Sequence, residues 1–187
     1  NALNMLNTRY LIYNQNAMPL INRSALGNAW FVSNIKWVES ADDEIAVLGE
    51  INPASEAVID TKFGDILEGF NVKEDTGTSF IELTHYAPNK LVYNASTDAK
   101  KLAVFSEIYY PKGWNVTIDG KPADYVRANY VLRAMLIPQG EHTIEFEFHP
   151  SSYYSGEKIA LAGSSLLLLL LIGIFYKEIR ESLKQKD

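Results

Sequence analysis

FSEIYYPKGWNVTIDGKPADYVRANYVLRAMLIPQGEHTIEFEFH, residues 105–149, is the stretch on which the fold turns. Trp114, Val116 and Ile118 alternate with Asn115, Thr117 and Asp119, and Ile144, Phe146 and Phe148 alternate with Thr143, Glu145 and Glu147. A period of two sends one set to a buried face and the other to water, as in antiparallel strands covered on one side. Asp119-Gly120 supplies the positive-φ residues that a tight hairpin turn needs, and Pro138-Gln139-Gly140 marks another turn. Just upstream, residues 102–110 (LAVFSEIYY) are apolar almost without interruption, which predicts a central strand covered on both faces.

Working outward, residues 79–86 and 90–96 read as a hairpin about Ala87-Pro88-Asn89. Residues 29–38 (AWFVSNIKWV) read as one strand. Ser40, followed by Asp43 and Glu44, reads as the N-cap and acidic first turn of a short helix to about Gly49, broken by Asn52-Pro53. Ala57 to Asp60 suits a short strand, and residues 64–77, with Gly64, Gly69 and Gly77, suit a loop. Leu3, Leu6, Tyr10 and Tyr13 stand at helix-like spacing. The expected fold is mainly β: an antiparallel β-sandwich or jelly-roll-like domain over residues 1–158 with one or two short helices.

Residues 159–176, IALAGSSLLLLLLIGIFY, are 18 uncharged residues closed by Lys177, Arg180, Lys184 and Lys186. As a helix the run extends about 27 Å, close to the hydrocarbon thickness of a bilayer. A buried helix of a soluble core is the competing reading, but residues 166–172 are apolar all round and lack the polar stripe of a surface helix. The expectation is a transmembrane helix over 159–176 and a cytoplasmic basic tail over 177–187, with residues 1–158 extracytoplasmic by the positive-inside rule. The first residues, NALNMLNTRYLIYN, hold no basic and apolar leader. Export of 158 residues therefore calls for a cleaved signal peptide or for upstream transmembrane helices of the same protein. The helix-like start favours the second.

Before Ile159 there are 13 basic and 20 acidic residues, a net charge of −7 without a basic run, so nucleic acid is not an expected partner. The chain has no cysteine, hence no disulfide and no thiolate chemistry, which suits a bacterial envelope. His85, His142 and His149 lie apart from metal-ligand spacing, and nucleophile, phosphate-loop and calcium-loop motifs are missing. No catalytic residue, metal or cofactor is expected. Glu107 with Glu82 or Asp119 is the nearest approach to an acid pair, and glycosidic chemistry would need a separation in space that spacing along the chain does not define.

The candidate glycan- or phosphate-binding residues are Tyr109, Tyr110, Trp114, Arg127, Asn129 and Arg133. Aromatic rings stack on the apolar faces of sugars, while guanidinium and amide groups fix orientation and meet phosphate or carboxylate in pairs of hydrogen bonds. A second reading stays open for each: aromatics fill sandwich cores, and Arg133 can pair a core-edge carboxylate such as Glu107.

LNMLNTRYLI (3–12), ALGNAWFV (25–32), FSEIYYPKGWNVTIDGK (105–121) and NYVLRAMLIPQGEHTIEFEFHP (129–150), in that order and followed by a final membrane helix, resemble the C-terminal region of the YfhO family of bacterial multi-pass membrane proteins. The resemblance covers nearly the whole chain. It implies a protein of the bacterial cell membrane related to glycosyltransferases that use lipid-phosphate-linked sugars, with many upstream helices and a catalytic acid in an early outer loop outside this chain. It assigns no active-site residue here. The expected function is an accessory extracytoplasmic domain of such a glycosyltransferase acting on envelope glycans, with the bilayer, the upstream helices and a lipid-linked sugar or envelope glycan as partners. A membrane-tethered carbohydrate-binding module and a structural domain that packs against partner proteins are the alternatives.

Overall fold

A computed structural model describes residues 1–70 and 78–184. In chain order the elements are α1 (Ala2–Met5), β1 (Tyr10–Leu11), β2 (Leu20–Ile21), β3 (Ala29–Val32), β4 (Asn34–Val38), α2 (Ala41–Leu48), β5 (Glu56–Asp60), β6 (Phe80–Ala87), β7 (Lys90–Thr97), β8 (Lys101–Ile108), β9 (Trp114–Ile118), β10 (Lys121–Pro122), β11 (Val126–Ala128), β12 (Leu132–Ile137), β13 (Gly140–Phe148) and α3 (Ser151–Lys184). They form two units, Asn1–Phe148 and the helical unit from His149 onward.

The first unit is a sandwich of two antiparallel sheets, one five-stranded (β10-β9-β13-β7-β6) and one four-stranded (β11-β12-β8-β3). Tyr93, Val116, Ile144 and Phe146 of the first meet Ala103, Phe105, Met135 and Ile137 of the second in one core. Phe105 stands edge-on to Tyr93 at 4.9 Å and to Phe146 at 5.2 Å, the arrangement that ring quadrupoles favour. The outer face of the four-stranded sheet is covered too. Leu102, Val104, Ala128, Leu132 and Ala134 pack there against Met5, Ala57, Ile59 and Leu67. Alternate residues of β8 thus feed two cores, which is why Lys101 to Phe105 are all buried and why this strand reads as an unbroken apolar run.

The turns follow their sequences. Asp119 (φ 52°) and Gly120 (φ 75°) form the β9–β10 turn, and Pro88-Asn89 closes β6 on β7 with Ala87 opposite Lys90. Ser40 caps α2, its hydroxyl accepting from the Asp43 N–H at 3.2 Å, and Gly49 ends the helix.

Two expectations are corrected. The helix at the start is one turn only: Asn7, in the left-handed region (φ 52°), ends it, and Tyr10 enters a strand. The strand over 29–38 is two, because Ser33 turns aside to bond the Ser55 carbonyl and hands the chain from β3 to β4. β4 then pairs with β5 in parallel, and α2 makes the crossover that such a pair needs. Of the expected loop over 64–77, the described part holds turns, with Leu67 buried, and residues 71–77 lie outside the described residues.

In the second unit, α3 is long and apolar enough to cross a membrane over Ser151–Glu181. It begins eight residues before the apolar run, since the run defines what can sit in hydrocarbon and not where backbone hydrogen bonding starts. Tyr153 and Tyr154 stand near one end of the run and Tyr176 at the other, where interfacial aromatics belong.

Replacing Phe105 by alanine is expected to cost about 3–5 kcal/mol, and the exposed Ile108→Ala to stay within about 0.5 kcal/mol, in urea unfolding of the full chain in detergent.

Candidate functional site

The residues expected to bind ligand fall into two groups. Tyr109 and Trp114 line a cleft of about 430 Å³ together with Asn115, Thr117, Asp124 and Tyr125. β9 supplies one wall. Gly113, at φ 117°, lets the chain swing from Pro111 into that strand, a conformation a side chain would strain. Tyr125 donates its hydroxyl to the Tyr110 carbonyl at 3.0 Å and packs edge-on against Tyr109 at 5.5 Å and Phe146 at 5.7 Å, so the cleft wall is fastened to the core. Tyr110 itself is half exposed, with its ring 6.4 Å from that of Phe148.

Arg133 lies beneath this cleft, not in it. It is 2% exposed, its Nε donates to the Ile108 carbonyl at 3.0 Å, and its guanidinium sits 4.3 Å from the Trp114 ring centre. Burial pushes the Arg133 proton affinity down and that of Glu107 up, while each charge opposes the other's shift. Glu107 is thus its electrostatic neighbour without a direct salt bridge among the described residues. Nη1 of Arg133 has no partner among them either, so the cation is held by rings and one carbonyl.

Arg127 and Asn129 lie elsewhere, where β11 meets β5 and α2. Arg127 approaches Glu44 at 3.1 Å, in ion-pair contact though not aligned as a hydrogen bond. Glu44 is fully buried. Burial raises its pKa and Arg127 draws it back down, the opposition expected of a desolvated pair. Asn129 accepts from the Val58 N–H through Oδ1 at 2.8 Å and donates its own N–H to the Val58 carbonyl at 2.8 Å. These bonds sew β5 to the β11–β12 turn, where Asn129 (φ 49°) and Tyr130 (φ 71°) both occupy the left-handed region. The polar groups of Asn129 and Arg133 face inward, so these two side chains hold the fold in place of reaching a solute.

Sequence reasoning missed the partners. Glu44 reads as a first-turn acid, and Asn115, Thr117 and Asp124 read as ordinary strand and loop residues. His142 reads as isolated, yet its Nδ1 is 2.7 Å from Asp119 Oδ2 and its Nε2 is 3.2 Å from the Gln139 carbonyl. Two acceptors on one ring favour the imidazolium, which alone carries two N–H donors. Among the described residues no group of three or more histidines, cysteines or carboxylates is placed to hold a metal.

A mainly β domain with an aromatic cleft, joined in sequence to a helix able to cross a bilayer, defines a membrane protein with a folded β domain. Residues 74–160, which include the whole cleft, match the family described as bacterial membrane protein YfhO. Neither a curated protein nor a solved structure is matched by the chain.

The Asp119 hydrogen bond raises the His142 pKa above its ordinary 6.5, and the His142 and Thr143 contacts lower that of Asp119 below 3.8. The His142 contribution to stability is full below the unfolded value and lost as pH rises through the raised one. That of Asp119 is present above its unfolded value and lost as pH falls through the lowered one. Their joint stabilisation is therefore greatest between about pH 4 and pH 6.5. Ring-proton NMR is expected to show His142 titrating above the ordinary histidine range and Asp119→Asn returning it there.

Proposed function

We propose that residues 1–158 are the extracytoplasmic accessory domain of a YfhO-like glycosyltransferase that draws on lipid-linked sugar, and that the cleft of Tyr109, Trp114 and Tyr125 holds a sugar unit of the donor or the envelope glycan. The observation that carries this reading is the lining itself: rings beside Asn115, Thr117 and Asp124, an apolar surface with hydrogen-bonding groups at its edge, suited to a neutral sugar. Arg133 lends a positive charge to the underside of the Trp114 ring from a desolvated position, without offering a phosphate a direct contact. The sugar moiety, in preference to its phosphate, is therefore what this cleft recognises. The match of residues 74–160 to the YfhO family and the cationic residues after Tyr176 support the membrane setting and an outward-facing β domain. Catalysis belongs to parts of the protein beyond this chain.

In the full-length protein, Trp114→Ala and Tyr109→Ala are each expected to weaken glycan binding and transfer roughly two- to ten-fold at normal expression, the value of one ring contact. Unchanged transfer in both variants would overturn the reading. Arg133→Met, which leaves the cleft lining in place, is expected to change transfer much less than Trp114→Ala.

A further inference from the structure

Residues 1–38 contain Arg9, Arg23 and Lys36 and not one acidic residue, although the part of the chain before Ile159 carries a net −7. Inside this stretch β1 and β2 pair as a small ribbon, Tyr10 opposite Ile21 and Leu11 opposite Leu20, joined by residues 12–19, IYNQNAMP. An isolated two-stranded ribbon is marginal in water. This one is fastened at its base. The Asn22 N–H donates to the Arg9 carbonyl at 2.8 Å, Asn22 Nδ2 donates to Asn4 Oδ1 and the Thr8 carbonyl at 2.9 Å each, and Asn7 Nδ2 donates to Asn28 Oδ1 at 2.7 Å.

With its base held, the ribbon carries apolar side chains into the open on both sides of a polar turn, Asn14-Gln15-Asn16. Met18 is 88% exposed, Ile12 74% and Tyr13 66%, with Tyr10 at 63% and Ile21 at 64% behind them. Burying one such side chain is worth about 1.5–3 kcal/mol, so a cluster left outside the core marks a surface with an occupant. Leu20, on the face opposite Tyr10 and Ile21, is also more than half exposed. Arg9 and Arg23 are exposed at the base, and neither has an ion pair among the described residues. Exposed apolar side chains on both faces of the ribbon, tyrosines among them, a turn of uncharged amides and unneutralised arginines at the base suit a segment lying along the lipid–water interface.

We propose that the ribbon Tyr10–Ile21 lies in the membrane surface, with Ile12, Tyr13 and Met18 at the boundary between headgroups and acyl chains and Arg9 and Arg23 against the phosphates of anionic phospholipids. The domain then holds the bilayer at a second point besides its helix, and this contact is independent of whether the aromatic cleft binds sugar.

Because the chain has no cysteine, Met18→Cys creates a single labelling site. The full chain, labelled there with an environment-sensitive fluorophore and reconstituted in vesicles of phosphatidylethanolamine and phosphatidylglycerol, is expected to emit at shorter wavelength and to be quenched by brominated lipid. The same label at Asp65→Cys, on an exposed turn, is expected to respond to aqueous iodide alone. Arg9→Gln and Arg23→Gln are each expected to lower the ratio of inserted to free ribbon roughly five-fold in anionic vesicles and to change little in phosphatidylcholine. A Met18 label that stays open to iodide would overturn the proposal. So would one that shifts to the blue without lipid quenching, since its occupant would then be protein.

Discussion

The constraint on which the rest depends is the double use of the four-stranded sheet. Leu102 and Val104 face one core while Ala103 and Phe105 face the other, so neither the five-stranded sheet nor the layer built from α1, β5 and Leu67 is complete without β8. A domain without disulfides needs its stability from burial, and a strand that feeds two cores contributes to both. Several polar groups near such a sheet find internal partners. Ser106 donates to the Gly27 carbonyl at 2.7 Å and lies equally close to that of Met5, Thr97 bonds the Pro138 carbonyl, and Asn129 takes up both backbone groups of Val58.

The same packing decides where chemistry is open. The four-stranded sheet lies inside, so Arg133, carried by β12, ends beneath the rings with one carbonyl and three aromatic neighbours. The five-stranded sheet has one face free, and its β9 end together with residues 109–113 and 123–125 forms the concave aromatic surface. Position in the layers, more than residue type, separates the binding candidates from the structural ones.

Much of the fold was legible because it rests on local rules. The period of two in β9 and β13, the Asp119-Gly120 turn, the Ser40 cap and the unbroken apolar run of β8 each state their own structure. What was not legible depends on distant partners. Nothing in AWFVSNIKWV signals that Ser33 leaves one sheet for another, because its partner is the Ser55 carbonyl. Nor does Glu44 differ in sequence from any first-turn acid, since its burial comes from Arg127 on a strand 83 positions away. The candidate site was legible in part: Tyr109 and Trp114 converge on one cleft, whereas Arg127 and Asn129, from the same stretch of sequence, are drawn to α2 and β5.

The most direct measurement is hydrogen exchange by mass spectrometry on the full-length protein in membranes, with and without a soluble envelope glycan. Added glycan should slow exchange over residues 109–125 and leave residues 127–133 unchanged, since the second set is already bonded within the domain. Unaltered exchange over 109–125, or protection appearing over 127–133 in its place, would contradict the assignment of the aromatic cleft as the ligand surface.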